Sequence, residues 1–248
     1  MAKNTLEVII QPTTLRFRLF KDQVYYLFAS GMEAQLDDAE LMFGVDPAKM
    51  AMLESNVGFL PVCSTVLVRG EKNILIDPNN AHIGIYGLLA NALGQRGLGL
   101  SDIDVVVATH WHHDHSANVG MFKKGELVVG KDELDCGRAI YGEDNVKGVI
   151  KGYDTVREID GRYEIAPGVT AVYMPGHSPG SLSVFVEDEA GRTVVAGDTI
   201  MVEKEWTRGE FSHWSSKEQL SGMAEGVKMM RDWAPDRIVP GHDKVFRV

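Results

Sequence analysis

Eight histidines occur in the 248 residues, and four of them fall in the run Thr109-His110-Trp111-His112-His113-Asp114-His115. In extended backbone, imidazoles at i and i+2 point to one side, so His110 and His112 can grip a single cation. Asp114 and His115 follow where the chain turns, and can face a second cation nearby. One tetrahedral site has room for about four ligands. Five candidates within six residues, with more downstream, therefore point to two metals.

The downstream candidates share one local setting. Residues 170–174 are strand-like and end in Pro175-Gly176-His177, 193–196 end in Gly197-Asp198, and 237–239 end in Pro240-Gly241-His242. In each, a buried strand delivers one ligand through a glycine, which lets the backbone turn sharply and approach the site. Strand ends gathered along one sheet edge are where α/β proteins build sites.

Such strands need a layered framework around them. The run 66–68 leads through Arg69-Gly70-Glu71-Lys72 into Ile74-Leu75-Ile76-Asp77, a hairpin whose second strand stops at a carboxylate. Residues 105–109 form a buried strand that runs directly into His110. Further strands are expected over 127–130, 170–174, 182–187, 193–196 and 236–239. Ile85, Leu88, Leu89, Ala92 and Leu93 follow helical spacing, stopped by Gly94 and Gly97. A second helix fits 216–233, with Leu220, Met223, Val227 and Met230 on one face. Interleaved strands and helices imply layered α/β architecture, and the length implies a single domain across 1–248.

Composition narrows the partners. Lys and Arg total 25 against 35 Asp and Glu, a formal charge of -10. That balance repels phosphate backbones and anionic lipid, so neither nucleic acid nor membrane is an expected partner. The 44% hydrophobic and 24% charged content is that of a globular chain, which excludes disordered and fibrous classes. Cys63 and Cys136 form no disulfide framework, and reduced thiols are expected. There is no apolar run of the roughly 20 residues a membrane span needs, and no signal core near the start, so a cytoplasmic protein is expected. Residues 32–60 carry apolar groups without clean periodicity. They read either as a capping segment over the sheet, or as a loop that walls a substrate pocket or makes a homodimer contact.

The set His110-x-His112-x-Asp114-His115, then His177, Asp198 and His242 at intervals of 62, 21 and 44 residues, resembles the ligand set of the metallo-β-lactamase superfamily. Pro175-Gly176-His177-Ser178-Pro179-Gly180-Ser181 is similar to the Pro-Gly-His-Thr-Pro-Gly element of its glyoxalase II and lactonase members. Ile76-Asp77 matches the family's strand-end Asp, which buttresses the metal loop. The resemblance implies an α/β fold, the four-layer αβ/βα sandwich, with metals at one edge. It implies that His110, His112 and His177 hold a first metal, that Asp114, His115 and His242 hold a second, and that Asp198 bridges them. Thr109 and Asp77 would supply the hydrogen bonds that fix ligand tautomers. His113 and Trp111 occupy variable positions of the motif and are not assigned as ligands. Two divalent ions are implied, zinc in the first place, with iron or manganese acceptable to the same donors.

Two cations sharing an oxygen lower the pKa of the water between them, which implies a metal-dependent hydrolase. Asp114 or Asp198 would relay the proton. True β-lactamases of this fold generally lack a carboxylate at the Asp198 position, and the redox di-iron branch usually has Glu where this chain has His112. The favoured substrates are therefore small-molecule lactones, esters or thioesters. Asn118-Val119-Gly120-Met121-Phe122 and the ending 239–248 resemble the short metallo-β-lactamase-domain-containing type 1 proteins of animals. That branch has been linked to RNA cleavage, so a phosphodiesterase or ribonuclease is the alternative, and a non-catalytic metal-binding protein the third reading. Trp111, Met201, Trp206, Phe211, His213 and Trp214 are the expected substrate-pocket residues, with Arg208 or Lys204 placed to meet an anion. The competing reading of 201–214 is a surface loop anchored by its aromatics.

Overall fold

Leu67, Leu75 and Val106 share one buried cluster, whereas their chain neighbours Val66, Val68, Ile74, Ile76, Val105 and Val107 share another. A period of two in fully buried strands means a sheet covered on both faces. The computed structural model describes residues 3–20, 23–29, 59–79, 85–211 and 216–248. It has two six-stranded sheets and a three-stranded one.

The first large sheet contains β1 (Thr5–Ile10), β5 (Thr65–Arg69), β6 (Asn73–Ile76), β7 (Val105–Val107), β8 (Glu126–Gly130) and β9 (Thr155–Ile159), side by side in that order. β6 through β9 run parallel. The second contains β10 (Arg162–Ala166), β11 (Val169–Tyr173), β12 (Leu182–Asp188), β13 (Gly191–Gly197), β14 (Arg237–Pro240) and β15 (Phe246–Arg247). The small sheet pairs β2 (Thr13–Phe20) with β3 (Gln23–Ala29) and β4 (Phe59–Val62).

One core lies between the large sheets, joining Val66, Ile76 and Val107 to Val169, Val184 and Val195. The outer face of the first sheet is closed by α1 (Ile85–Gly94), α3 (Glu133–Tyr141) and α4 (Glu143–Ile150) through Leu89, Leu93, Leu134 and Val146. Trp206 of α5 (Glu203–Arg208), with Val227 and Met230 of α6 (Lys217–Trp233), closes the outer face of the second sheet. The result is the four-layer αβ/βα sandwich expected from the sequence. The expected strands and both helices appear with ends shifted by a few residues. Leu88 departs from its expected place in the core: it is 48% exposed, while Leu89 and Leu93 point inward.

Residues 30–58 lie outside the described residues, and with them most of the segment read as cap, pocket wall or dimer contact. Cys63 and Cys136 are both free thiols. Among the described residues, no helix is long and apolar enough to cross a membrane.

Candidate metal centre

Parallel strands deliver their C-terminal ends to one edge. In the first sheet β6 stops at Asp77, and β7 runs through Ala108 and Thr109 into His110. His112 then serves as N-cap of the single-turn helix α2 (His113–Ser116), which carries Asp114 and His115. In the second sheet β11 leads to His177, β13 to Asp198 and β14 to His242. The two sheets are stitched at this edge by hydrogen bonds from Leu182 N to Thr109 O (2.7 Å) and from Ser64 N to Gly241 O (2.8 Å). Gly197 takes φ 54° to turn the chain into Asp198, a conformation that disfavours a side chain. A Cβ on Gly241 would lie 2.1 Å from Asp198 Oδ1.

The seven residues singled out in the sequence converge. His112 Nδ1 lies 3.0 Å from both His110 Nε2 and His177 Nε2, and Asp198 Oδ2 is 3.3 Å from His177 Nε2 and 3.9 Å from His110 Nε2. Around the other oxygen, Asp198 Oδ1 is 3.3 Å from His115 Nε2 and 3.3 Å from His242 Nε2. Asp114 Oδ2 is 3.5 Å from His115 Nε2 and 3.3 Å from His242 Nε2. Asp198 thus offers one oxygen to each cluster. Donors bonded to one tetrahedral cation at about 2.0–2.2 Å lie about 3.3–3.6 Å from one another, which these separations bracket.

Hydrogen bonds orient the imidazoles. Asp77 Oδ1 accepts from Thr109 N at 2.7 Å, and its Oδ2 accepts from Thr109 Oγ1 at 2.7 Å and His115 Nδ1 at 2.9 Å. His115 therefore keeps its proton on Nδ1 and turns the Nε2 lone pair toward the cluster. Thr109 gives its one hydroxyl proton to Asp77, so at 3.2 Å it accepts from His110 Nδ1 and fixes the same tautomer there. Gln219, in the first turn of α6, donates to His177 O at 2.9 Å. Burial pushes the Cys63 thiol up to about 12, so it stays protonated and donates to Asp114 O at 3.3 Å. Cys63, Asp77 and His115 also bring three ligating atoms within 4.8 Å of one another. His115 Nδ1 and Asp77 Oδ2 are already bonded to each other, which closes that group to a cation.

Burial and charge pull against each other within the cluster. Burial drives His110 well below its usual range and His177 down to about 4. Burial pushes His242 the same way, but Asp198 and Asp114 override it and hold its pKa at about 9. His115 likewise stays well above the ordinary range against its burial, through the carboxylates of Asp198, Asp114 and Asp77. Asp198 is held well below the carboxylate range despite burial, by His242, His115 and His177. Among the described residues, Asp198 Oδ1 and His242 Nδ1 are buried without a hydrogen-bond partner.

The expected pocket residues fare differently. Trp111 is 2% exposed and packs into the core of the first sheet, against Gly137 of α3. Its backbone follows His110 into the turn, but the indole points away from the donors. Trp206 is buried in the second outer core, with the Arg231 guanidinium 4.1 Å above its ring. Met201 packs with Val202, Met223 and Phe211. Trp111 thus packs in the core of the first sheet, while Trp206 and Met201, with the partly buried Phe211, pack in clusters under the chain that follows Asp198. His213 and Trp214 lie outside the described residues. Sequence reasoning missed Glu133, which is fully buried and accepts from Trp111 N (2.6 Å), Ser178 Oγ (2.7 Å) and Gly180 N (2.8 Å).

A family model described as the metallo-beta-lactamase superfamily matches residues 57–242. Over 123 residues the chain is 30% identical to an N-acyl homoserine lactonase of Bacillus thuringiensis, covering 50% of this chain and 47% of that protein. The chain therefore spans about half the length of such curated relatives. It is 27% identical over 188 residues to metallo-beta-lactamase domain-containing protein 1 of Xenopus laevis, covering 75% of this chain and 72% of that one. The solved structure of an N-acyl homoserine lactone hydrolase, with N-hexanoyl-L-homoserine bound at its catalytic metal center, superposes with a TM-score of 0.61. That match has 25% identity over 76% of this chain and 83% of the other.

Proposed function

The chain belongs to the metallo-β-lactamase superfamily, and from that premise we propose that it is a two-metal hydrolase of small-molecule lactones, esters or thioesters. The observation that carries this reading is the division of Asp198: Oδ2 faces His110 and His177, which group with His112, while Oδ1 faces His115 and His242 beside Asp114. His110, His112 and His177 would hold one divalent ion, Asp114, His115 and His242 the other, and Asp198 both. The donor set suits zinc, and iron or manganese equally in kind.

Charge supports the same reading. Asp77, Asp114, Glu133 and Asp198 are four carboxylates with little solvent around them, and buried charge is costly unless compensated. Two divalent ions would balance four negative charges, and would give the orphaned Asp198 Oδ1 a partner. When bound, such ions supply Lewis acidity for hydrolytic attack at neutral pH. The residues orient and hold protons: Asp77 and Thr109 fix the tautomers of His115 and His110. Asp114 is the more open of the two candidate proton carriers, at 13% side-chain exposure against 6% for Asp198. It is the group placed to exchange a proton with solvent.

The test is turnover of a panel of N-acyl homoserine lactones, thioesters, phosphodiesters and single-stranded RNA, by the wild type and by Asp198→Ala. Lactone or thioester hydrolysis lost by orders of magnitude in the variant supports the proposal. Turnover confined to phosphodiesters or RNA would replace it with a nuclease. Metal binding without any turnover would leave a non-catalytic metal protein.

A further inference from the structure

Glu133 belongs to none of the ligand groups, yet it is fully buried at the start of α3. Burying a carboxylate is costly unless several donors meet it. Here Oε1 accepts from Trp111 N, and Oε2 accepts from Ser178 Oγ and Gly180 N. The Ser178 and Ser181 hydroxyls lie 2.8 Å apart, and Ser178 N donates to Ser181 Oγ, which closes the turn after His177. Trp111 separates His110 from His112, and Ser178 follows His177. A single carboxylate thus ties together the two segments that carry all three imidazoles of one cluster. The other cluster has supports of its own, Asp77 on His115 and Cys63 on the Asp114 carbonyl.

We propose that Glu133 is a positioning residue for the metal held by His110, His112 and His177: it sets the approach of His112 Nδ1 to His177 Nε2, which lie 3.0 Å apart. The proposal rests on the two-metal reading above. Glu133 makes no hydrogen bond to Asp114, His115 or His242 and reaches their helix only through the Trp111 backbone, whose carbonyl accepts from Ser116 Oγ, so its loss acts on one metal far more than on the other. Glu133→Gln keeps the shape but retains a single acceptor oxygen for the two segments, and its amide NH2 faces donors. Ser178→Ala removes one donor only.

Zinc and cobalt affinities of the wild type, Glu133→Gln and Ser178→Ala would be measured by chelator competition, with the visible spectrum of the cobalt forms reporting the geometry of each site. Glu133→Gln is expected to weaken one metal about 10- to 100-fold while the other stays within about threefold, and to change one cobalt spectrum. Ser178→Ala is expected to weaken the same metal by less. A merely structural role lowers the melting temperature and weakens both metals alike, or neither, and either result overturns the proposal. If Glu133→Gln does not fold, unchanged affinities in Ser178→Ala overturn it. A wild type that binds no metal defeats the two-metal reading and this proposal with it. That outcome is distinct from a wild type with two metals and a variant that holds both as tightly.

Discussion

Replacing Asp77 by Asn changes one atom in a buried network and should decide which nitrogen of His115 carries a proton. The wild-type carboxylate accepts three hydrogen bonds, from Thr109 N, Thr109 Oγ1 and His115 Nδ1, at 2.7, 2.7 and 2.9 Å. In Asp77→Asn the amide oxygen can stay opposite Thr109 N, but an NH2 group then meets two donors. Thr109 can rotate its hydroxyl to accept. His115 can accept at Nδ1 only by moving its proton to Nε2, the nitrogen 3.3 Å from Asp198 Oδ1. Losing a hydrogen bond to a buried charged group costs about 1.5–3 kcal/mol of folding stability. Metal affinity should fall about 10- to 100-fold, equivalent to about 1.4–2.8 kcal/mol. The fall should be larger at the metal near His115 than at the other, where only His110 is linked to Asp77, through the Thr109 hydroxyl; His112 and His177 do not touch Asp77. Denaturant unfolding of the metal-free proteins reads the first quantity and zinc competition against a chelator reads the second. A variant that binds both metals as tightly as the wild type would refute the claim that Asp77 sets the His115 tautomer.

Three further outcomes follow from the same structure. Trp111→Ala should lose about 3–5 kcal/mol in urea unfolding, as expected for a large core side chain, with little change in KM; a raised KM at unchanged stability would return the indole to the substrate. Gly241→Ala should cost at least one bound metal in a folded chain, because its Cβ would meet Asp198 Oδ1 at 2.1 Å; two metals retained would contradict that close approach. Burial, partly offset by the Met201 and Val202 amides, lifts Glu205 from 4.5 to about 7. Its folded form binds the proton more tightly than the unfolded chain, so its contribution is full below about pH 4.5 and is lost as pH rises through about 7. Glu205→Gln should therefore gain on the wild type by up to about 3 kcal/mol between pH 5 and 8. A difference flat across that range would contradict the raised pKa.

The metal edge was legible because each donor follows an uninterrupted apolar run. Residues 105–108, 194–196 and 238–239 are all Val, Ile or Ala, and each run is followed within two or three residues by a residue type that binds cations. Asp77 was legible for the same reason, and its carboxylate sits where a buttress is needed. Glu133 follows the same pattern, since β8 ends and Lys131-Asp132-Glu133 follows. It was passed over because Asp132 and Asp135 beside it are exposed acids of an ordinary helix start. Its partners lie 22 to 47 residues away, a separation that local pattern cannot register. Trp111 and Trp206 were misplaced because an aromatic beside a ligand reads alike whether it lines a pocket or fills the core. Only the packing of α3 and α6 decides. Helices α3 and α4 escaped notice because both are short and Gly137 and Gly148 interrupt them.

The central claim is that two divalent ions share Asp198. Metal content per chain, measured by mass spectrometry on protein reconstituted anaerobically with zinc, iron or manganese, tests it most directly when paired with the same measurement on Asp198→Ala. The account predicts two ions per wild-type chain, fewer in the variant, and hydrolysis that a chelator abolishes and metal restores. One ion or fewer in the wild type with every metal, or two ions retained without Asp198, would contradict it.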